Sequence, residues 1–210
     1  MILNTPKRFR RITDSHIVWD NIFNKDEISR IEKICENYNV EFKKALTVGR
    51  DEDSDDLEEM RRSKIKFINR DPETAWIFDK YNNLADVMNK GFYGFDIYGY
   101  EAFQYTVYDS SENGMYEWHM DAILGENIDV HTMTESTRKL SLVTLLSDPG
   151  VDFSGGEFQL NLGNQLHATT VPFKKGTVVA FPSFMCHRVK PILTGIRKSI
   201  VIWLEGPKFK

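Results

Sequence analysis

Apolar positions change their spacing part-way along the chain. Up to about residue 95 they recur every three to four residues in two stretches. In the first, Ile28, Ile31, Cys35 and Tyr38 fall on one helical face. Ahead of it, Asn24-Lys25-Asp26-Glu27 offers an N-cap with a carboxylate three residues on, the arrangement of a capping box. In the second, Ile77, Tyr81, Leu84, Ala85 and Met88 form the stripe. Asp71 stands as its cap, Pro72 at its first position and Gly91 at its end. A short β-prone run, His16 to Trp19, precedes both. The helices read as packing elements without chemistry of their own.

From Glu101 the period shortens to two. Ala102–Tyr108, Tyr116–Met120, Lys139–Leu146, Glu157–Leu162, His167–Val171, Thr177–Phe181, Met185–Lys190 and Arg197–Leu204 are short β-branched or aromatic runs. Turn residues separate them at 110–114, 148–150, 154–156, 174–176 and 194–195. Strands at this even spacing predict a double-sheet jelly roll with room for a ligand. The expected fold class is α+β, a double-stranded β-helix core over about 96–205 backed by a helix-rich part, 1–95. No repeat and no Pro- or Gly-rich linker divides the chain, so residues 1–210 read as a single domain.

Composition narrows the class. Hydrophobic residues make up 41% and charged residues 28%, as in ordinary globular proteins. No apolar run is long enough to span a bilayer, and Met1 to Arg11 is basic and polar rather than signal-like. The expected location is the cytoplasm, with no membrane partner. A net charge of −4 argues against a dedicated nucleic-acid binder, although Arg61, Arg62 and Lys64 make a local basic patch. Asp51 to Glu59 carries seven acidic residues in nine, which reads as a solvated loop, with a lid over a site as the alternative. Cys35 and Cys186 fit no zinc spacing and read as free thiols of a reducing compartment.

The chemistry concentrates in the β-rich half. Trp118-His119-Met120-Asp121 contains an H-x-D, and residues two apart on a strand point to one face. With five histidines and sixteen aspartates such a motif arises readily by chance, so it needs company. His187, in a later β run, provides it. Two imidazoles and a carboxylate can occupy one side of an octahedral ion, leaving positions open, as in ferrous oxygenases. Zinc accepts the same ligands, so the set alone does not fix the metal.

Ten residues after His187 stands Arg197, with Ser199 on the same strand face as Val201 and Trp203. That strand is expected beside the one bearing His187. An inward arginine is costly without an anion, and a guanidinium beside a hydroxyl suits a buried carboxylate. An arginine at a strand end facing water is the plainer alternative. Gln104, Thr106 and Tyr108 alternate onto one face, expected inside the barrel, where the Tyr108 phenol could reach a cosubstrate or simply pack in the core. His16, His131 and His167 have no partner at ligand spacing and read as structural or solvated.

Taken together these residues resemble the Fe(II)/2-oxoglutarate oxygenases of the prolyl 4-hydroxylase type, and most of all the PKHD-type hydroxylases. The resemblance is carried by RRSKIKFI (61–68), QYTVYDSSENGMYEWHMD (104–121), LSLVTLLSDPGVDFSGGEFQL (140–160) and FPSFMCHRVKPILTGIRKSIVIW (181–203). It covers roughly 60–205, with a fainter helical echo near 19–40. It implies His119, Asp121 and His187 as the catalytic iron ligands and Arg197 as the residue binding the distal carboxylate of 2-oxoglutarate. Tyr108 falls at the tyrosine before the H-x-D loop. The resemblance further implies Fe(II), 2-oxoglutarate as cosubstrate, O2, and hydroxylation of a C–H bond with release of succinate and CO2. Gly155-Gly156 is then a bulge or tight bend at the barrel rim. Many prolyl hydroxylases place a second tyrosine on the third barrel strand; here that stretch is Val143-Thr144-Leu145-Leu146, which leaves Ser199 or Thr144 in its place.

Two other readings stand beside this one. A non-catalytic metal- or ligand-binding jelly roll would keep the barrel without turnover, but an intact Arg197 and Ser199 weigh against it. An oxygenase directed at nucleic-acid bases is disfavoured by the acidic balance and the single arginine after His187. The substrate is expected to be a peptidyl side chain such as proline, or a small molecule. Loops 49–62, 110–115 and 122–137 would set specificity and carry no readable code, and oligomeric state has no signature.

Overall fold

The computed structural model describes residues 15–45, 60–122, 136–163 and 168–208. The acidic run 51–59, His131 and His167 lie outside the described residues, as do most of the 49–62 and 122–137 loops. The described chain begins with strand β1 (Ile17–Trp19), helix α1 (Lys25–Asn37) and three short or mid-length strands. These are β2 (Lys43–Lys44), β3 (Arg61–Arg62) and β4 (Lys64–Asn69), followed by helix α2 (Ala75–Met88). The remainder is β5 (Ala102–Asp109), β6 (Met115–His119), β7 (Ser136–Leu145), β8 (Phe153–Gly155), β9 (Phe158–Asn161), β10 (Ala168–Thr170), β11 (Val178–Pro182), β12 (Cys186–Val189) and β13 (Ile192–Pro207). All eight expected β runs are present within a few residues of their expected ends.

These strands form two antiparallel sheets. The larger runs β1-β11-β7-β13-β5-β4-β2, with β8 joined to β13; the smaller runs β10-β9-β12-β6-β3. Alternation divides the large sheet into two faces. Its outer face carries Phe103, Tyr105, Leu140, Leu142, Ile200 and Ile202, packed against Ile31, Ile77, Tyr81 and Met88 of the helices. Its inner face carries Tyr108, Val143 and Leu145, which meet Phe158, Leu160 and Val189 of the small sheet. The result is an α+β architecture with a jelly-roll core and helices on one side. No helix among the described residues is long and apolar enough to cross a membrane.

Both helices differ from expectation only at their ends. The α1 capping box forms as expected: Asn24 Oδ1 accepts from Glu27 N and Glu27 Oε2 accepts from Asn24 N, each at 2.9 Å. Asp71 caps a turn instead of the helix itself, accepting from Glu73 N and Thr74 N at 2.9 Å, and α2 starts at Ala75 with Thr74 as N-cap. Gly91 does not end it. The chain continues through a π-turn, Asn89–Tyr93, and stops at Gly94 with φ 69°, a left-handed conformation that favours glycine. The Asn89 side chain fastens this exit by bonding both the N–H and the carbonyl of Phe95, at 2.9 and 2.8 Å.

Four strands had no sequence forecast: β2, β3, β4 and β8. In β4 the alternation is obscured because Lys66 is buried at an inward position. Its Nζ donates to the carbonyls of Cys35, Glu36 and Tyr38 at 3.2, 2.9 and 3.3 Å. A cation there closes the C-terminus of α1, which has no basic residue in its last turn. Replacing Lys66 by methionine keeps the stem and strands these carbonyls. We expect Lys66→Met to lower unfolding free energy by about 1–3 kcal/mol, read as an earlier urea midpoint with an unchanged slope.

Candidate metal centre

Strands β6 and β12 are neighbours in the small sheet, and His119 and His187 are paired across them. Asp121 joins them differently from the sequence expectation. Strand β6 ends at His119, so Asp121 stands in a bend beyond it. Backbone anchoring replaces alternation: the N–H groups of Asp121 and Ala122 both donate to Ser183 O at 2.9 Å, and Ser183 N donates to Lys139 O at 2.9 Å. The metal-facing groups converge all the same. His119 Nε2 lies 3.8 Å from Asp121 Oδ1, and His187 Nε2 lies 3.6 Å from Asp121 Oδ2. Among the described residues, these three side chains bring donor atoms within 4.8 Å of one another and could hold a metal ion.

Each donor is oriented. His119 Nδ1 lies 2.8 Å from Glu117 O, and His187 Nδ1 lies 2.8 Å from Met185 O. A carbonyl can only accept, so both Nδ1 atoms carry the proton and both Nε2 atoms offer a lone pair to the centre. Ser141 Oγ donates to Asp121 Oδ2 at 2.6 Å and sits 2.9 Å from Ser183 Oγ. Burial lowers the His119 pKa well below its usual range, and the neighbouring His187 lowers it further. Burial works against the Asp121 charge, but His187, His119 and the Ser141 hydroxyl outweigh it and hold the carboxyl below its ordinary value. A neutral imidazole beside an ionised carboxylate is what a divalent cation requires.

Arg197 lies elsewhere than expected. Its strand, β13, belongs to the large sheet and pairs with β5, β7 and β8, not with the strand of His187. Arg197 therefore faces the imidazoles across the sandwich. It is 1% exposed, its Nη1 donates to Ser199 Oγ at 3.3 Å, and its Nη2 is buried without a partner among the described residues. Burial pulls its pKa down to about 10, with Tyr108 opposing, so it stays charged near neutrality. Tyr108 is paired with Arg197 across β5 and β13, and its ring lies 5.5 Å from the guanidinium. Gln104, Thr106 and Tyr108 do share the inner face, opposite Val201, Ser199 and Arg197.

Thr144 does not share that face. It points to the helices, where its Oγ1 lies 2.5 Å from Tyr81 Oη. Of the two groups proposed for the missing tyrosine's place, Ser199 alone is beside Arg197. Gly155 and Gly156, expected as a turn, differ in role: Gly155 ends β8 on β13, and both have positive φ, 72° and 64°. A Cβ on Gly156 would overlap Ile192 Cδ1 and lie 3.2 Å from Arg197 Cδ. The glycine pair thus makes room for the arginine stem.

Known proteins resemble this chain in sequence and in fold. Residues 103–205 match the 2OG-Fe(II) oxygenase superfamily. The match takes in just under half of the chain, which over this stretch is similar to that superfamily. A PKHD-type hydroxylase of Cupriavidus metallidurans is 30% identical over 96 residues, 46% of this chain and 40% of that protein. Another, from Colwellia psychrerythraea, is 33% identical over 84 residues, 39% of this chain and 37% of that one. The match thus spans about two fifths of the length of these relatives. Among solved structures, a Pseudomonas putida prolyl-4-hydroxylase superposes with TM-score 0.66 at 18% identity over 92% of this chain and 94% of its own. A Trichoplax adhaerens prolyl hydroxylase in complex with a hypoxia inducible factor peptide fragment gives 0.71 at 17% over 91% and 84%. At these identities the likeness is one of fold.

Within the matched stretch, sequence reasoning passed over Ser141, Ser183 and Tyr116. Ser141 was visible as the lone hydroxyl in Leu140–Leu142 on the inner face; Tyr116 stacks on His119 with centroids 3.4 Å apart. The hydroxyl is removable without disturbing the fold. We expect Ser141→Ala to weaken Co(II) or Mn(II) binding about ten- to a hundredfold in equilibrium dialysis, with the unfolding midpoint little changed.

Proposed function

We propose that this chain is an Fe(II)- and 2-oxoglutarate-dependent dioxygenase that hydroxylates a C–H bond, with a peptidyl side chain such as proline as its target. The observation that carries the reading is the buried, half-satisfied Arg197 set across the sandwich from two histidines and an aspartate. An uncompensated interior guanidinium costs several kcal/mol, roughly, and a dicarboxylate arriving from solvent removes that cost. The prolyl target is supported by the PKHD-type relatives and by the prolyl hydroxylases of like fold. Residues 1–210 are read as one oxygenase domain. Cys35 and Cys186, both free, suit the reducing cytoplasm in which we place it.

In this reading His119 Nε2, the Asp121 carboxylate and His187 Nε2 hold the iron. Their protonated Nδ1 atoms and the Ser141 hydroxyl fix them before any ligand arrives, so little rearrangement accompanies binding. Arg197 receives the distal carboxylate of 2-oxoglutarate, Ser199 bonds beside it and Tyr108 walls the pocket. Bound iron, with 2-oxoglutarate and O2, supplies the oxidising power, and succinate and CO2 leave as products. The chain's own part is orientation and exclusion of water. Phe158 and Phe181 lie against His187, with ring centroids 5.6 and 4.7 Å away, and keep that side dry.

Two substitutions test the assignment by binding alone. Arg197→Ala should raise the Kd for 2-oxoglutarate by about a hundredfold or more while metal affinity stays within a few-fold, as measured by calorimetry under anaerobic conditions. Unchanged 2-oxoglutarate affinity would remove the role given to Arg197. Gly156→Ala should weaken the same binding by displacing the arginine stem. It should also lower thermal stability, because an alanine at φ 64° is strained.

A further inference from the structure

Two more arginines approach the metal centre; among the described residues neither forms a close ion pair, although Asp121 and Glu205 stand near Arg138. Arg61, on β3, is paired in register with Tyr116 on β6 and is 6% exposed. Its guanidinium carbon lies 4.4 Å from the Tyr116 ring, which in turn stacks on His119. Its Nε donates to Ser63 Oγ at 3.0 Å, and neither Nη has a hydrogen bond among the described residues.

Arg138 comes from the other sheet. A register shift between Leu204 and Glu205 leaves Lys139 as an extra residue in β7. That bulge reverses the phase of the strand and re-aims Arg138 inward. Its guanidinium carbon lies 4.0 Å from the Trp203 ring, and its one hydrogen bond is a long one, 3.5 Å, to Asp121 O. Burial lowers its pKa; Asp121, Glu205 and Tyr116 oppose this and Arg61 adds to it, so all four stand near its charge. Glu205 is engaged by Ser136 Oγ at 3.0 Å, and Asp121 faces the two imidazoles. Beside them Trp203 Nε1 and Thr137 Oγ1 are buried with no partner among the described residues.

Like charges are thus held together, partly dehydrated, among donors with nothing to donate to. An anion that completed such a cluster would stabilise it. We propose that Arg61 and Arg138 form a second anion receptor that takes a carboxylate of the primary substrate, next to the carbon that is hydroxylated. This rests on the reading of the centre as an oxygenase. Arg197 is a separate receptor, deep on the Tyr108 side, for the cosubstrate. Guanidiniums set over aromatic rings present planar forks, which fit a planar carboxylate better than a lysine would. A phosphate-bearing polymer is the poorer fit, because the chain as a whole carries a net charge of −4.

The test is a binding comparison on the full chain loaded with Mn(II) and saturating 2-oxoglutarate, so that Arg197 is filled. N-acetyl derivatives of proline, leucine, lysine and glutamine are titrated by calorimetry, each as the free acid and as its carboxamide. The expected result is at least one acid bound about tenfold or more tighter than its carboxamide. That preference should vanish in Arg61→Gln/Arg138→Gln and persist in part in Arg138→Lys, with carboxamide affinity unchanged throughout. Lys174→Gln, at an exposed position far along the chain, should leave it intact.

Acids bound no tighter than carboxamides, or not at all, would overturn the proposal, as would a preference that survives the double variant. Competition between the acid and 2-oxoglutarate would assign the acid to Arg197 and have the same effect. A single-stranded oligonucleotide that displaces the acid from the wild type, but does not bind the double variant, would transfer the receptor to phosphate. Should the double variant not fold, each single Gln variant and Arg138→Lys still read the preference. Peptides with a free C-terminus, and amidated peptides with an internal glutamate, separate the two carboxylate sources. The oxygenase reading fails separately, by absence of 2-oxoglutarate binding to the wild type before any acid is added.

Discussion

The period-two alternation of β13 governs both the core and the chemistry. Ile200, Ile202 and Leu204 point to the helices, while Arg197, Ser199, Val201 and Trp203 point between the sheets. One strand therefore fastens α1 and α2 to the barrel and lines its interior with a charge, a hydroxyl and an indole. A one-residue slip would put Arg197 under the helices and turn Ile200 toward the His119, Asp121 and His187 cluster, losing both. Two neighbours hold the register. Strand β5 matches it from Ile196 to Val201, and β7 from Ser199 to Pro207 with a single shift. The length of β13 is thus a specificity device as much as a source of hydrogen bonds.

The interior it lines is unusually charged for a sandwich core. Asp121 and His187 are buried and His119 nearly so; Arg197 is sealed and Arg61 almost so. At the small sheet the Asp121 carboxylate and two imidazole lone pairs converge, and their other hydrogen-bonding atoms are tied to Glu117 O, Met185 O and Ser141 Oγ. The arginines have no such closure. Burial without a counter-charge lowers the Arg197 pKa, whereas the carboxyl of Asp121 moves toward ionisation. The polypeptide alone thus leaves one pole suited to a cation and the other to anions, and ligands at both would contribute to the folded state's stability.

The fold was legible because alternation is a local property. Eight β runs, both buried helical stripes and the capping box could be read from neighbours a few residues apart. The exceptions each have a physical cause. Strand β4 hid because Lys66 occupies an inward position to close α1, and β8 hid because its glycines resemble a turn. Gly91 looked like a helix end because nothing local announces a π-turn. The same division holds at the site. His119, Asp121, His187 and Arg197 stood out by spacing and by resemblance. The convergence of the first three was expected as well; the placement of Arg197 was not, since which sheet a strand joins is decided by partners far away in sequence. Arg197 consequently faces His187 across the sandwich, and Thr144, plausible by position, spends its hydroxyl on Tyr81.

Long-range placement also explains why residues with no motif surround the centre. Arg138 has nothing in its neighbourhood to distinguish it from a surface arginine, and by unbroken alternation it would face outward with Leu140. The bulge at Lys139 turns it inward, and the same step sends Lys139 toward Gly206, against which its Cγ packs. Arg61 is similar. Alone it is one of a basic pair at the start of RRSKIKFI, yet β3 adds to the edge of the small sheet beside β6 and lays it over Tyr116. A bulge and an edge strand thus deliver two charges to one place from positions 77 residues apart in sequence. Both devices cost backbone pairing, a bulge by interrupting a ladder and a two-residue strand by forming almost none. A fold that needed only a stable barrel would have used neither.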